Sequence, residues 1–582
     1  MESGGWKNDS TFGLPPSTHG SSTLIKKRKP SVIGLVLNPS RKGSNDHRRQ
    51  HAKNNLELLT EGGRSWWQKI RDILRNHNGS IRTDGSKKIL VSASHYIGNL
   101  FHARDFLPEL CNILQVEAAC FSFAEVPDKG KLRWLNSLSC PCLLGSQHLQ
   151  GFWTEAEKKA AHLMDSIKKP DDLIAYREEG VPLGILVHDH YLRKRCVAQA
   201  SLSDPALAED LKRGISIYLA TKNFFTHFPT ALVWADHPVY LNSGVVLQTA
   251  ALHGIPCIQI SGSTSPIICP IYPPARGLPK HRVKMAYHVP YEEFPILFKK
   301  MSRPKRVQAL IRARRAMHRH MKGMKREIVA GGYSPLSLKR RESEGEIGTV
   351  HGLVLPRDFS DAPNVYGKML FPDNYSWLQF VLAEAQKTKW SWALKPHPNR
   401  WGGDGEKMDR LNHSVLEKVR AQFPHVRFLD PQTSYRELIQ KGLKTVFTPC
   451  GSVGHELPAL GVAVVNAGLN PHISYDFNYH PASRKELVGF IRRAGRLKAK
   501  KISKLPEFYY MRYNYLSDKY SIKNLWPKKL EQWLSRGELH PEKIRVQDIS
   551  REFPSDRIVT GKIRTFIKGK FHANLLADHL TI

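Results

Sequence analysis

The sequence predicts an α/β protein built from two doubly wound, Rossmann-like domains with extensions at both ends, and three observations carry that prediction. Its 582 residues exceed what one ordinary hydrophobic core organises. From Lys88-Ile89-Leu90-Val91-Ser92 onward, short apolar runs alternate with helical stretches, the pattern of parallel sheets covered by helices on both faces. Several of those runs end in turns that carry Lys, His, Asp or small residues, and ligands of open α/β sheets bind at strand carboxyl ends. A hydrophobic content of 41% with 12 Trp supplies enough apolar surface for such cores.

Residues 1–30 are rich in Ser, Gly, Thr and Pro, end in Lys26-Lys27-Arg28-Lys29, and read as a disordered tail. Residues 31–84 form an N-terminal extension that holds the apolar run Val32-Ile33-Gly34-Leu35-Val36-Leu37 and an amphipathic stretch around Trp66-Trp67-Gln68-Lys69-Ile70. The first domain spans 85–298, with a helix over 100–114 and a strand over 118–123. Val181-Pro182-Leu183-Gly184-Ile185-Leu186-Val187 reads as an apolar strand that delivers Asp189, Tyr191 and Arg193 to its exit. A strand over 231–234 ends in Ala235-Asp236-His237-Pro238-Val239-Tyr240, a helix follows over 245–253, and 254–260 is the next strand. Asp189 and Asp236 are the candidates for a general base, while a turn or capping role is the alternative for Asp236.

Residues 299–348 are a basic linker helix, read as a solvated charged face at the domain junction. No aromatic residue interrupts its cations before Tyr333, which argues against single-stranded nucleic acid. The second domain covers 349–490. Val350-His351-Gly352-Leu353-Val354-Leu355-Pro356 is a strand with an exit loop through Asp361 and Asn364, and a helix opens near Asp373. Trp392-Ala393-Leu394-Lys395 is a buried strand stopped by Pro396-His397-Pro398, so Lys395 and His397 stand at a strand terminus. Lys444-Thr445-Val446-Phe447-Thr448 is another strand, followed by Pro449-Cys450-Gly451, a helix start at Ser452-Val453-Gly454-His455-Glu456, and a strand over 461–466. Ser452 and Gly454 would let a phosphate approach bare helix N–H groups, and Glu456 would reach a ribose hydroxyl. A small-residue junction also serves simple close packing of helix on strand, and both readings stand. Residues 491–582 form the C-terminal segment: an aromatic-rich stretch around Phe508-Tyr509-Tyr510, a candidate crossover helix over 521–534, and a basic tail.

These strings resemble the bacterial capsule and surface-polysaccharide biosynthesis proteins that look like Kdo transferases of the GT-B type. The resemblance covers roughly 85–490 and rests on Trp392-Ala-Leu-Lys-Pro-His-Pro398, Ser452-Val-Gly-His-Glu456 with Leu460-Gly461 after it, Gly184-Ile185 with Asp189, Tyr191, Leu192 and Arg193, Asp361-Ala-Pro-Asn364, and Phe371 with Asp373, Trp377 and Leu378. It implies a GT-B fold whose two domains face across a cleft, with the chain's last helix crossing back to the first. It also implies contact of His397 and Pro398 with the nucleotide of a nucleotide-sugar donor, a CMP-linked donor being a candidate. The implied reaction is metal-independent glycosyl transfer of Kdo or a related acidic sugar to a polysaccharide or glycolipid acceptor. In that frame Lys395 and His397 stabilise the leaving phosphate, Ser452, Gly454 and Glu456 hold the donor, and Arg193, His237, Tyr240 and Asp361 face the acceptor.

The rival readings are a polyol-phosphate transferase or UDP-sugar epimerase on the same fold and, in another class, a non-catalytic nucleic-acid-binding protein supported by charge alone. A net charge of +36 suits anionic partners in general: nucleotide donors, acidic glycans, other members of a polysaccharide assembly line, or the anionic inner face of a plasma membrane. Eight scattered Cys fit structural thiols in a reducing cytoplasm, with no metal and no bound cofactor expected. The first residues lack the basic-then-apolar order of a secretory signal, and no run reaches the ~18 apolar residues of a membrane span. A cytoplasmic or peripheral location is the expectation.

Overall fold

The computed structural model describes residues 87–568 with breaks at 94–96, 125–128, 236, 262–265, 272–290, 322–346, 399–404, 524, 527–550 and 552–556. All of these belong to one compact unit, Thr83–Ile582. The readings of the tail and extension over 1–84, of Asp236, and of the last residues of the basic linker lie outside the described residues.

The fold is α/β with two Rossmann-like sheets. The first contains β1 (Lys88–Ser92), β2 (Glu117–Ser122), β3 (Cys142–Gly145), β4 (Thr230–Trp234), β5 (Cys257–Ser261) and β6 (Ile267–Pro270) in the order β3-β2-β1-β4-β5-β6. Its strands are parallel except β6, which runs antiparallel to β5. The second contains β7 (Gly352–Val354), β8 (Trp392–Leu394), β9 (Val426–Phe428), β10 (Thr445–Thr448) and β11 (Ala463–Asn466) in the order β11-β10-β7-β8-β9, all parallel. Both sheets therefore start in the middle, wind two strands to one side, and restart on the other. The point of reversal lies between β1 and β4 in one sheet and between β7 and β10 in the other.

Among the helices that cover them are α1 (Ile97–Leu114), α2 (Leu183–Arg195), α3 (Pro205–His227), α4 (Val245–Leu252), α5 (Arg303–Met321), α6 (Asn374–Ala385), α7 (Glu406–Gln422), α8 (Tyr435–Gln440), α9 (Val453–Glu456), α10 (Arg484–Arg492), α11 (Leu505–Tyr510), α12 (Leu516–Tyr520) and α13 (Arg557–Phe566). In the second sheet Trp392, Leu394, Phe447 and Val465 pack under α6, α7 and α10, whereas Ala393, Val446 and Val464 pack under α8. That is the two-residue alternation of a sheet buried on both faces.

One element departs from the sequence reading. Leu183-Gly184-Ile185-Leu186-Val187 is the first turn and a half of α2, not a strand, so Asp189, Tyr191 and Arg193 sit within a helix. Every residue from Leu183 to Asp189 is buried. A helix enclosed on all sides shows no amphipathic period, and its apolar run is indistinguishable from a buried strand.

The chain returns to the first core after α10. Leu505, Phe508, Tyr509, Tyr513, Tyr520 and Trp526 join Ile89, Trp234 and Ile260 in one apolar cluster, and Ser521 bridges to Ile267 at the sheet edge. The crossing thus begins about 16 residues ahead of the 521–534 segment favoured by its Trp content. Further on, α13 lies on α1, with Ile563 buried and Arg564 donating both to Glu109 Oε1 and to Oε2 at 2.8 Å.

Candidate functional site

Three loops leave the second sheet side by side at its reversal point. Leu355 N donates to Phe447 O and Lys395 N to Val354 O, which carries the ladder to the very ends of β10, β7 and β8. Arg357 follows β7, Lys395 and His397 follow β8, and Cys450-Gly451-Ser452 follow β10. Arg357 Nη1 lies 3.2 Å from Cys450 Sγ, so the loops on either side of the reversal meet.

Lys395 continues the alternation of its strand and therefore points inward. It is 2% exposed, and its Nζ lies 4.6 Å from the centre of the Tyr435 ring on α8. Burial lowers its pKa from 10.5 to about 8, against a smaller opposing pull from Asp430. No carboxylate pairs directly with this ammonium among the described residues. His397 is exposed, yet the packed strand end around it desolvates the ring, and the Arg357 and Lys395 cations add to that. Its pKa falls below the ordinary imidazole value, with Asp358 opposing, so the ring is neutral near pH 7. Asp358 itself accepts from Ser360 N, Ser360 Oγ and Asn412 Nδ2. Pro398 is exposed beside His397.

The turn into α9 is packed more closely than an open anion cradle. Gly454 has no Cβ because the His472 ring fills that place, with a ring carbon 2.4 Å from where a Cβ would stand. The N–H groups of Gly454, His455, Glu456 and Leu457 all donate within the turn, and α9 ends after four residues. Ser452 Oγ donates to Glu456 Oε2 at 3.3 Å. Glu456 is 2% exposed and bonds His320 Nε2 on α5 at 2.8 Å, so its carboxylate faces a buried imidazole. The basic linker helix is accordingly anchored in the second core by His320.

The acceptor-side residues fall into two groups. Asp189 is buried, accepts from Asn364 N and Asn364 Nδ2 at 3.0 Å each, and contacts His188 Nδ1 at 3.0 Å. With both oxygens engaged it is a clamp that ties α2 to the exit loop of β7. One helical turn on, Arg193 donates to Met408 Sδ and stands 3.8 Å from Asp361 Oδ1. Asp361 accepts from Tyr240 Oη at 2.9 Å and lies 3.9 Å from Arg357 Nη2. Tyr240, in the loop after β4, has φ +63, and Ala362 beside Asp361 has φ +34, two unfavourable backbone conformations at opposite ends of one contact. His237 is exposed, its ring centre 6.3 Å from that of Tyr240. Asp236 lies outside the described residues.

The structure thus links Arg357, Arg193 and Tyr240 through Asp361, sets His397 near both Arg357 and Lys395, and gives Glu456, Gly454 and Asp189 packing partners. Sequence reasoning passed over Arg357 and Cys450. Their signal was present as a cation just past one strand and a thiol just past another, but only the strand order makes them neighbours. Among the described residues no cluster of His, Cys, Asp or Glu has the geometry of a metal site, and no helix is long and apolar enough to cross a membrane.

No family model and no curated protein sequence matches the chain. Solved structures give faint likenesses. One is the β-Kdo 2,4 transferase KpsC of Thermosulfurimonas dismutans, at 11% identity and TM-score 0.28 over 49% of this chain and 79% of that one. The β-Kdo 2,7 transferase KpsC of the same organism gives 12% and 0.28 over 54% and 87%. The UDP-GlcNAc 2-epimerase of Neisseria meningitidis, bound to UDP-GlcNAc, gives 11% and 0.21 over 74% and 94%.

Proposed function

We propose that the chain is a glycosyltransferase of GT-B type that binds a nucleotide-sugar donor with its phosphates at the carboxyl ends of β7, β8 and β10. The observation that carries this is the buried Lys395 ammonium, with which no carboxylate pairs directly among the described residues, next to a His397 ring that feels both this cation and Arg357 from the neighbouring exit loop. A buried charge without a partner is costly, and an anionic ligand removes that cost by supplying the partner. Lys395 and Arg357 carry the positive charge that meets the leaving nucleotide phosphate, while neutral His397 donates one hydrogen bond. Asp361, with Tyr240 and Arg193, stands on the acceptor side. The acceptor's proton passes to a carboxylate there or to the donor's own phosphate. A surface or capsule polysaccharide or a glycolipid is the acceptor class that fits a basic protein of this kind, and Kdo or a related acidic sugar is the candidate sugar.

Calorimetric titration with UDP, CDP and CMP tests the site. Binding that requires the phosphates and is lost in Arg357→Gln supports it, and equal binding of the bare nucleosides refutes it. Donor turnover then separates the reactions: nucleotide release that depends on a glycan acceptor marks a transferase, and interconversion of sugar epimers without acceptor marks an epimerase.

A further inference from the structure

A second surface of the molecule has a chemistry of its own, independent of the donor site. Helix α5 contains seven Lys and Arg and not one Asp or Glu. Its inner stripe is Ala309, Ala313 and His320, all buried, and it packs on α11. At 100° per residue the opposite side is centred on Val307 and Ile311, with Arg303, Arg314, Arg315 and His318 around them. Val307 is 50% exposed and Ile311 44%, and the three arginines are exposed as well. Arg312, which has an acidic partner in Asp518 at 2.7 Å, lies on the flank of the helix.

A solvated helix places charge at the centre of its outer face and apolar residues toward the core. Here two β-branched aliphatics one turn apart occupy that centre, ringed by guanidinium groups. We infer that this face of α5 docks the protein on an anionic lipid bilayer, with Val307 and Ile311 entering the headgroup boundary and Arg303, Arg314 and Arg315 meeting lipid phosphates. Helices that lie in a membrane interface have this division: apolar side chains downward, cations at headgroup level. The face carries no Phe, Tyr or Trp, which disfavours single-stranded nucleic acid, whose bases stack on such rings.

Vesicle co-sedimentation of the full chain tests this, with phosphatidylcholine vesicles against vesicles that also contain phosphatidylglycerol. The expected result is binding to the anionic vesicles and release in 1 M salt, where screening shortens the field to about 3 Å. Arg314→Gln with Arg315→Gln should weaken binding on the order of 30-fold, from about fivefold per cation at the surface. Val307→Ser with Ile311→Ser should weaken it on the order of tenfold through lost apolar contact. The charge-matched control Lys158→Gln with Lys418→Gln, both exposed elsewhere, should bind as the parent does. All these positions are at the surface, so circular dichroism should be unchanged. Equal binding to neutral and anionic vesicles overturns the inference, as does an arginine pair no more damaging than the control pair. A third result also overturns it: Val307→Ser with Ile311→Ser leaves binding intact while soluble RNA or an acidic polysaccharide displaces the protein from vesicles. The face would then be a purely electrostatic site for a soluble polyanion.

Discussion

Replacement of Lys395 by Met should make the protein more stable and a poorer binder at once. The ammonium is 2% exposed and its pKa falls from 10.5 to about 8, a change worth about 3 kcal/mol against the charged form. The Tyr435 ring at 4.6 Å already offsets part of the cost of burial, and Met keeps a favourable sulfur contact with that ring. The expected gain at pH 7 is therefore about 1–3 kcal/mol, read as a higher Tm or denaturant midpoint. The sign with pH follows from a folded pKa below the unfolded one. Lys395 destabilises the parent fully below pH 8, and the penalty is relieved as pH rises from about 8 to 10.5. The advantage of Lys395→Met should thus be largest at neutral pH and vanish near pH 10.5. Affinity for UDP or CDP should fall about 10- to 150-fold, the range for one charge-assisted hydrogen bond. The parent's own affinity should decline above pH 8, as free Lys395 loses its proton. If Lys395→Met is less stable than the parent at pH 7, or binds nucleotides as well, the ammonium is a packing group and the anion site is refuted.

Three further outcomes follow from named contacts. His397→Ala should cut sugar transfer by about 10²–10³ with an unchanged Tm, because the residue is exposed and would act on the leaving phosphate; turnover within a few-fold of the parent removes it from the mechanism. Asn364→Asp sets a second carboxylate against buried Asp189 and should cost about 3–5 kcal/mol by denaturation at pH 7, with recovery as pH falls and one of the pair is protonated. Glu456→Gln should lower stability by about 1 kcal/mol through the weakened bond to His320 and leave UDP affinity within about twofold; a clear loss of affinity would restore a ribose contact for Glu456.

How far the sequence could be read depended on whether a feature is local. The strands around Lys88, Trp392 and Thr445 announce themselves through short apolar runs, the latter two closed by Pro396 and Pro449, and all three are strands in the structure. The segment at Leu183 failed because burial on every side erased the period that distinguishes helix from strand. The Ser452-Val-Gly turn reads as an anion cradle from its small residues, yet Gly454 is small because His472, 18 positions later, packs into the space. Neither partner was visible in a local window. Arg357 was missed for a related reason, since its value lies in β7 and β10 being neighbours although about 90 residues separate them. Lys395 stands at the boundary of the two cases. As the fourth residue of Trp-Ala-Leu-Lys it holds, by pattern alone, an inward core position, where a lysine is unusual and an anion is one reason for it. The sequence contains the anomaly, and the strand order supplies its meaning: β8 lies next to β7, whose exit loop brings the Arg357 cation to His397, and no carboxylate among the described residues pairs directly with the Lys395 ammonium.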